Sequence, residues 1–531
     1  MKTRAPTAGD AATAQPQKQT VEERIDLQGR SLRQHAARGT IINSGFQLAM
    51  AGLGFLRRFV IAAFLTRAEF GIWGILLTTL ITLSWLKQIG IGDKYIQQSE
   101  PDQEAAYQKA FTLELGMCLA FFVFICAALP VYAAAYGHTE IIVPGIILAA
   151  AVPISAFETP QWIAYRRMQF VRERVLVSVD AVSTLVITIV LGVLGFGYWC
   201  LVLGNVAGSL LGAIAATSTC PYPMKLRFDR GTLREYTSFS LPLLGYQLSN
   251  LAAVQGVMLV GARAVGVAGV GAMALASSIS AFAERVDAIV SETIYPAVCA
   301  VADRVELLYE AYVKSNRLAL MWGMPFGVGL ALFASDLVHF VFGDRWVPAI
   351  GLLAAFGIIA GVRQIGFNWQ IFMRAVNNTK PLFVASLVNL AAFAAVTLPL
   401  MLTLGLTGYA IGVGAGVGIQ TLLRGWYMGR LFPDFNPLRH MVRAIAPSVP
   451  AAAVVLAVRL IGSGHRTPAR AIAELVLYAV ATVLATLYFE RALLREIGGY
   501  LRGQGGIRTK ANAPATAQAL PRTAPREPSR A

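Results

Sequence analysis

Long apolar stretches separated by short polar connections recur along almost the whole chain. Most have about the 20 residues that a helix needs to cross the hydrocarbon of a bilayer. The pattern predicts an all-α polytopic membrane protein of about fourteen transmembrane helices. These spans lie near residues 41–65, 70–97, 107–133, 140–164, 173–193, 196–218, 236–262, 266–299, 308–334, 347–373, 380–403, 406–429, 440–461 and 469–489.

Short sequence matches occur in the same order in the two halves of the chain. Gly45-Phe46-Gln47-Leu48 recurs 200 residues later as Gly245-Tyr246-Gln247-Leu248. The further matches pair Phe70-Gly71 with Val270-Gly271, Tyr107 with Tyr309, Tyr136-Gly137 with Phe342-Gly343, Trp162 with Trp369, and Gly197-Tyr198 with Gly408-Tyr409. Spans 1–6 and 7–12 are therefore predicted to form two six-helix bundles related by a pseudo-two-fold axis along the membrane normal, followed by two C-terminal helices.

This repetition predicts the domain organisation. The predicted parts are a disordered cytoplasmic tail (1–35), an N-terminal six-helix bundle (36–219), a cytoplasmic linker (220–235), a C-terminal six-helix bundle (236–432), two additional transmembrane helices (433–494) and a disordered basic cytoplasmic tail (495–531).

Composition agrees with a membrane protein, since 56% of the 531 residues are hydrophobic and only 14% are charged. The formal net charge of +16 would suit a nucleic-acid partner, but the basic residues lie in short loops and tails between apolar spans. This bias is typical of membrane topology, and it predicts that both termini are cytoplasmic and that no nucleic acid is bound. The five cysteines lack metal-binding spacing, so neither a metal nor another cofactor is expected.

Two adjacent arginines, Arg57 and Arg58, lie about midway along the first span. A charge at the bilayer centre costs about 2.5–3.5 kcal/mol on insertion scales, so such residues usually face a protein interior or a water-filled cavity. We therefore interpret the pair as candidate ligands of an anionic group. The alternative is that the helix is displaced and both side chains reach the membrane interface.

Other charged residues lie at a common depth in the first bundle: Lys87, Glu114, Glu158 and Asp180. The matching positions of the second bundle hold Asp287, Asn316, Gln364 and Asn389. Because three carboxyl groups share one base, we interpret Glu114, Glu158 and Asp180 as a candidate proton or cation site. The alternative is that these groups hold helices together through hydrogen bonds.

Span 8 is the most charged helix and carries Glu284, Arg285, Asp287 and Glu292. Repeat matching places Lys87 opposite Asp287, and this pair, with Glu284 and Arg285, forms a candidate gate. In the alternative, Lys87 pairs within its own bundle and Asp287 pairs with Arg363. Arg363 in span 10 is either a second phosphate ligand or, as we prefer, a partner for span 8.

Several motifs resemble those of a known family. They are Leu65-Thr66-Arg67-Ala68-Glu69-Phe70-Gly71 after span 1, Ile89-Gly90-Ile91-Gly92 at the end of span 2, Arg166-Arg167-Met168-Gln169-Phe170 before span 5, Leu194-Gly195-Phe196-Gly197-Tyr198-Trp199 before span 6 and Phe342-Gly343-Asp344-Arg345-Trp346 before span 10. Over residues 40–430 the chain is similar to the Wzx-type flippases, the polysaccharide transporter branch of the multidrug/oligosaccharidyl-lipid/polysaccharide exporter superfamily.

The resemblance implies a flippase, not an enzyme. Such a protein moves an undecaprenyl-diphosphate-linked oligosaccharide from the cytoplasmic to the periplasmic leaflet of the bacterial inner membrane, for exopolysaccharide, capsule or O-antigen synthesis. The implied partners are that lipid-linked oligosaccharide, membrane lipids, a polysaccharide polymerase and a chain-length regulator. Coupling to a proton or sodium gradient is a further hypothesis.

Two rival functions are less compatible with the residues. A cation-coupled multidrug exporter of the same superfamily is the main alternative, but Arg57, Arg58 and Arg363 would repel a cationic drug. A membrane-bound sugar polymerase or glycosyltransferase needs a larger site outside the membrane, whereas the outer loops are short and the inner loops lack a DxD pair.

Overall fold

The computed structural model describes residues 31–64, 66, 69, 72–73, 76, 90–136, 139–433, 435–436, 442, 445–461 and 466–501. Positions 57 and 58 belong to the first helix, but the side chains of Arg57 and Arg58 are outside the described residues, and so is the whole of Lys87. The described residues are helices and connecting turns, without a strand.

The first half of the chain forms eight described α-helices. They are α1 (Leu32–Phe64), α2 (Ile91–Gln97), α3 (Gln103–Tyr136), α4 (Ile142–Ala149), α5 (Ala151–Ser155), α6 (Pro160–Arg166), α7 (Phe170–Val193) and α8 (Trp199–Ser218). α7 packs against both α1 and α8, and α3 packs against α4 and α5.

The second half begins after the linker with α9 (Arg230–Ala264), α10 (Gly266–Ser280), α11 (Arg285–Ala300), α12 (Val305–Leu337), α13 (Ile350–Arg363), α14 (Trp369–Ala375), α15 (Lys380–Ala392) and α16 (Leu398–Leu431). It ends with α17 (Ser448–Ile461), α18 (Pro468–Phe489) and α19 (Arg491–Leu501). α12 packs along α13, α9 along α15, and α13 against α10 and α16.

Eight stretches of the described residues are long and apolar enough to cross a membrane. One of them, Lys380–Leu431, covers two predicted spans, and its backbone is non-helical at Gly405, where the sequence separates spans 11 and 12. The polytopic all-α class is confirmed, and the number of fourteen spans stays a prediction. Two boundaries differ from those predicted, because helix already begins at Leu32 and continues to Leu501.

Glycine spacing explains how α7 and α8 approach each other. Gly204, Gly208 and Gly212 recur every four residues along one face of α8. A Cβ added at Gly208 would overlap Thr184 Oγ1 of α7, and one at Gly204 would overlap Thr188 Oγ1. Small residues at this spacing let two helices in a membrane pack at close range.

The second bundle repeats this arrangement. Gly408, Gly412 and Gly416 of α16 also recur every four residues. Gly416 lies beside Asn389, since an added Cβ would be 3.9 Å from Asn389 Oδ1, as Gly208 lies beside Asp180. The equivalence of Asp180 and Asn389 read from the sequence therefore has a counterpart in helix packing.

The motif after span 1 meets the motif before span 6. Glu69 accepts hydrogen bonds from the backbone N–H and the hydroxyl of Thr66, at 2.9 and 2.8 Å. These bonds lower the pKa of the Glu69 carboxyl group. The same carboxylate packs against Gly197, whose φ is +53°, so an added side chain would both strain the backbone and overlap Glu69. The contact between Glu69 and Gly197 therefore holds the two motifs together.

The C-terminal helices α17 and α18 are attached to α12 by a charged network. The Asp336 carboxylate of α12 pairs with Arg466 and, at 3.4 Å, with Arg459 of α17. Glu474 of α18, whose side chain is 3% exposed, pairs with Arg459 at 2.8 Å and with Arg470 at 3.2 Å.

Candidate functional site

Two segments of the second bundle are interrupted where the sequence predicted continuous helices, in spans 266–299 and 347–373. A 3₁₀ turn at Ala281–Glu284 separates α10 from α11. A turn at residues 364–368 separates α13 from α14, and Gly366 within it has φ +68°. The hydrophobic pattern did not predict either interruption, because it carries no information on hydrogen bonds between backbone groups of one helix and side chains of another.

The two interruptions meet at an ion pair. Arg363, the last residue of α13, donates to Glu284 Oε1 at 2.9 Å, and both side chains are partly exposed, at 44% and 38%. Arg363 therefore contacts span 8, but through Glu284 and not through Asp287, the partner named in the alternative pairing.

Side chains of other helices satisfy the backbone groups that the interruption of α13 sets free. Arg424 Nη1 of α16 donates to the carbonyl oxygen of Arg363 at 2.9 Å. Asn316 of α12, which is fully buried, donates to the Gln364 carbonyl at 2.9 Å and accepts from the Gly366 N–H at 3.3 Å. Because unpaired backbone groups are costly inside a membrane, these side chains stabilise the interruption.

A small cavity of about 130 Å³ adjoins the ion pair. Its lining combines Glu284 and Arg363 with the hydroxyl groups of Ser277, Ser280 and Tyr409. The cavity therefore holds polar groups at membrane depth, next to two arginines, Arg363 and Arg424. Guanidinium groups offer several N–H donors in a plane and suit phosphate oxygens.

The first bundle brings two of the predicted acids together. An ideal Cβ at Gly212 would lie 3.1 Å from Glu158 Oε1 and 3.0 Å from Asp180 Cβ, so both carboxyl side chains face one glycine of α8. Thr184 Oγ1 donates to Asp180 Oδ1 at 3.2 Å.

The third acid, Glu114, is buried on α3, where it accepts from Cys118 Sγ at 3.5 Å. One turn earlier, the ring of Phe111 contacts that of Phe157, next to Glu158, at 5.7 Å between centroids. Glu114 therefore lies on the helix that borders the Glu158–Asp180 pair, and each of the three acids has interactions within the protein.

A polar network joins the two bundles through α1, α7 and α11. Arg174 Nη2 pairs with Glu292 at 2.7 Å, and Arg174 Nε donates to Asn43 Oδ1 at 2.8 Å. Asn43 Nδ2 in turn donates to Thr293 Oγ1 at 2.7 Å, and Gln47 Nε2 lies 3.5 Å from Glu292.

Further contacts surround this network. Arg374 pairs with Asp93 at 2.6 Å, Tyr295 donates to the Asp93 carbonyl at 3.2 Å, and Lys94 donates to Asn377 at 3.1 Å. Arg33–Glu310 is a peripheral pair at 2.5 Å. The hydrogen bonds and ion pairs named here join the bundles on the side that carries the 219–230 linker, which we call the linker side.

Besides Glu284, the structure places two more of the predicted gate residues, Arg285 and Asp287. Arg285 lies over the Phe282 ring at 5.7 Å, and Asp287 lies one turn from Glu284 on α11. The sequence pattern did not reveal Arg174 as a contact of span 8, because a basic residue at the start of the predicted span 173–193 fits the charge bias of membrane topology. It also missed Arg424, although a charge inside the predicted span 406–429 was a visible signal.

Comparisons with known proteins agree with this architecture. A family model described as "Polysaccharide biosynthesis protein" matches residues 60–351, more than half of the chain. The succinoglycan biosynthesis transport protein ExoT of Rhizobium meliloti (strain 1021) is 23% identical over 472 residues, which cover 84% of this chain and 91% of that protein.

Solved structures of MATE transporters share the fold. A MATE structure in the bent conformation has a TM-score of 0.66 at 15% identity and covers 76% of this chain and 98% of its own. An outward-facing multidrug resistance MATE transporter of the MOP superfamily has a TM-score of 0.64 at 15% identity and covers 75% and 94%. At this identity the likeness concerns the fold alone.

Proposed function

We propose that this chain, which belongs to the family of polysaccharide biosynthesis proteins, moves an undecaprenyl-diphosphate-linked oligosaccharide from the cytoplasmic to the periplasmic leaflet. The chain is a multi-pass membrane transporter connected to polysaccharide biosynthesis and is not an enzyme. We propose two further features of this transporter: its cargo is a lipid-linked oligosaccharide, and it flips this lipid between the leaflets.

The contact between the bundles on the linker side carries the proposal. Two similar bundles that touch on the linker side form a transporter closed on that side, as alternating access requires. The positive-inside bias makes the linker side cytoplasmic, so this state faces the periplasm and follows release of the cargo. We place the protein in the inner membrane with both termini in the cytoplasm.

The arginines supply the chemistry for the cargo. A diphosphate carries at least two negative charges, which cannot enter hydrocarbon without compensation. Arg363 and Arg424 lie at the interruption of α13, and Arg57 and Arg58 of α1 are further candidates. The guanidinium groups of Arg363 and Arg424 favour an anionic headgroup over a cationic drug.

The acid cluster supports coupling to a proton or sodium gradient. Glu158 Oε1 lies beside Gly212 and Asp180 Oδ1 beside Gly208, one turn earlier on α8, and neighbouring carboxyl groups favour uptake of a proton or a cation. Glu114 borders the pair. A polysaccharide polymerase and a chain-length regulator remain the proposed protein partners.

Transport in vesicles tests the proposal. The purified protein is reconstituted with a fluorescent undecaprenyl-diphosphate oligosaccharide, and the fraction accessible to an added glycosidase is followed over time. We expect accelerated flipping that Arg424→Gln reduces at least tenfold, whereas Arg263→Gln, an exposed arginine at the end of α9, leaves it unchanged. Flipping at the rate of empty vesicles, or transport of cationic dyes instead, would contradict the proposal.

A further inference from the structure

We propose that Glu284 occupies, in the empty transporter, the place of a cargo phosphate on Arg363, and that the arriving diphosphate displaces it. The exchange rests on the proposed function, because it assumes a diphosphate cargo. It assigns Glu284 the role of an internal competitor that sets the affinity of the site and the release of the cargo.

The geometry permits such a displacement. The Arg363–Glu284 pair is a single contact at 2.9 Å, and both side chains are partly exposed. Ion pairs with this much exposure are weak, about 0–1 kcal/mol, so a doubly charged anion that binds two guanidinium groups outcompetes one carboxylate. The adjoining cavity gives the incoming group access to the same atoms.

The displaced carboxylate has other partners within reach. Arg424 lies close enough to Glu284 to interact with its charge, and Arg285 is its neighbour in sequence. The Glu284 carboxylate therefore keeps positively charged neighbours, Arg424 and Arg285, after it leaves Arg363.

The pair also serves the return of the empty transporter. After the cargo leaves, Arg363 without an anion would be an uncompensated charge at membrane depth, which is costly when the cavity closes. Glu284 neutralises it, so the empty protein changes conformation without a bound ligand. The Glu284 side chain therefore limits how tightly the cargo binds and speeds its release.

Binding of a prenyl diphosphate to purified protein in detergent tests the inference. Farnesyl diphosphate is titrated into the wild-type protein and into Glu284→Gln, Asp287→Asn and Arg363→Gln. We expect Glu284→Gln to bind about fivefold more tightly, a gain of about 1 kcal/mol. Asp287→Asn is the matched control: it removes a carboxylate one turn away that does not contact Arg363, and its affinity should change less than threefold.

The outcomes separate the competitor from a structural pair. Arg363→Gln should lose the tight binding in the presence of Glu284 and in its absence. A folding defect cannot imitate the result expected of Glu284→Gln, because that result is a gain of affinity. Equal affinity of Glu284→Gln and the wild type, or equal gains for Glu284→Gln and Asp287→Asn, would overturn the exchange.

Two further measurements identify the type of ligand and test the exchange independently of the proposed function. Inorganic pyrophosphate competing alone, with no binding of farnesyl diphosphate, would mean a site for free anions and would overturn the inference. In the vesicle assay, Glu284→Gln should flip the lipid more slowly despite its tighter binding. If the wild type flips the lipid and Glu284→Gln flips it at the same rate, the exchange is refuted and the proposed function stands.

Discussion

The contact between Arg174 and Glu292 allows a sharp test of the closed linker side. Glu292→Gln removes the charge that Arg174 meets at 2.7 Å. The Arg174 side chain is only 12% exposed, but it keeps Asn43 at 2.8 Å and Glu173 at 3.1 Å. Because Glu292 itself is 45% exposed, we estimate a loss of about 1–2 kcal/mol, less than for a fully buried pair.

This loss applies to the closed state alone, since the pair is broken when the bundles separate. A change of about 1–2 kcal/mol alters the ratio of closed to open protein roughly 5–30-fold. Glu292→Gln should therefore open the linker side.

Cysteine labelling measures this equilibrium. Ala297, 8% exposed, packs with Met168 and Phe170 of the first bundle, so Ala297→Cys becomes reactive only when the bundles part on this side. The five native cysteines, Cys118, Cys126, Cys200, Cys220 and Cys299, are replaced beforehand. A membrane-impermeant maleimide is then added to vesicles whose linker side faces outward.

The expected labelling rate rises about 5–30-fold in Glu292→Gln, in line with the estimated shift. Glu306→Gln is the control, because Glu306 is an exposed acid in the first turn of α12 on the same side. An unchanged rate in a variant with normal thermal stability would refute the view that this pair holds the linker side closed.

Three further predictions concern stability. Gly208→Ala should lower the free energy of unfolding by about 1–3 kcal/mol, because its Cβ would overlap Thr184, and thermal unfolding in detergent measures this. Glu474→Gln should destabilise the protein by about 1–3 kcal/mol and expose the α17–α18 connection to proteolysis, since three arginines lose an acceptor. Asn316→Leu should cost about 1–3 kcal/mol, because Gln364 loses its buried donor; a smaller loss than in Asn389→Leu would contradict the capping role.

The helical class and the repeat of two bundles were predictable from the sequence, because both depend on local patterns. Apolar length predicts spans, and motifs that recur in the same order in the two halves predict equivalent positions. Charge alone also led to the expectation that Arg363 lies near span 8. Arg363 is the one basic residue of span 10, and span 8 carries the acids that could pair with it.

The interruptions and the contacts between the bundles were not predictable in the same way. Gly366 is an ordinary residue of an apolar segment until Asn316, 50 residues away, satisfies the freed backbone around it. Arg174 follows Glu173 near a loop, and its partner Glu292 is 118 residues away. Local patterns carry no information on pairs at this separation, because the pairing depends on how whole bundles dock.

The two bundles differ in charge at equivalent positions, and this difference has a consequence for mechanism. Asp180 in the first bundle corresponds to Asn389 in the second, and Glu158 corresponds to Gln364. The carboxyl pair of the first bundle and the arginine pair of the second therefore lie in separate halves of one pseudo-symmetric frame. If a cation occupies the first and a diphosphate the second, the two ligands do not compete for the same side chains. Their coupling must then pass through the contacts that both bundles share, of which Arg174–Glu292 is the best defined.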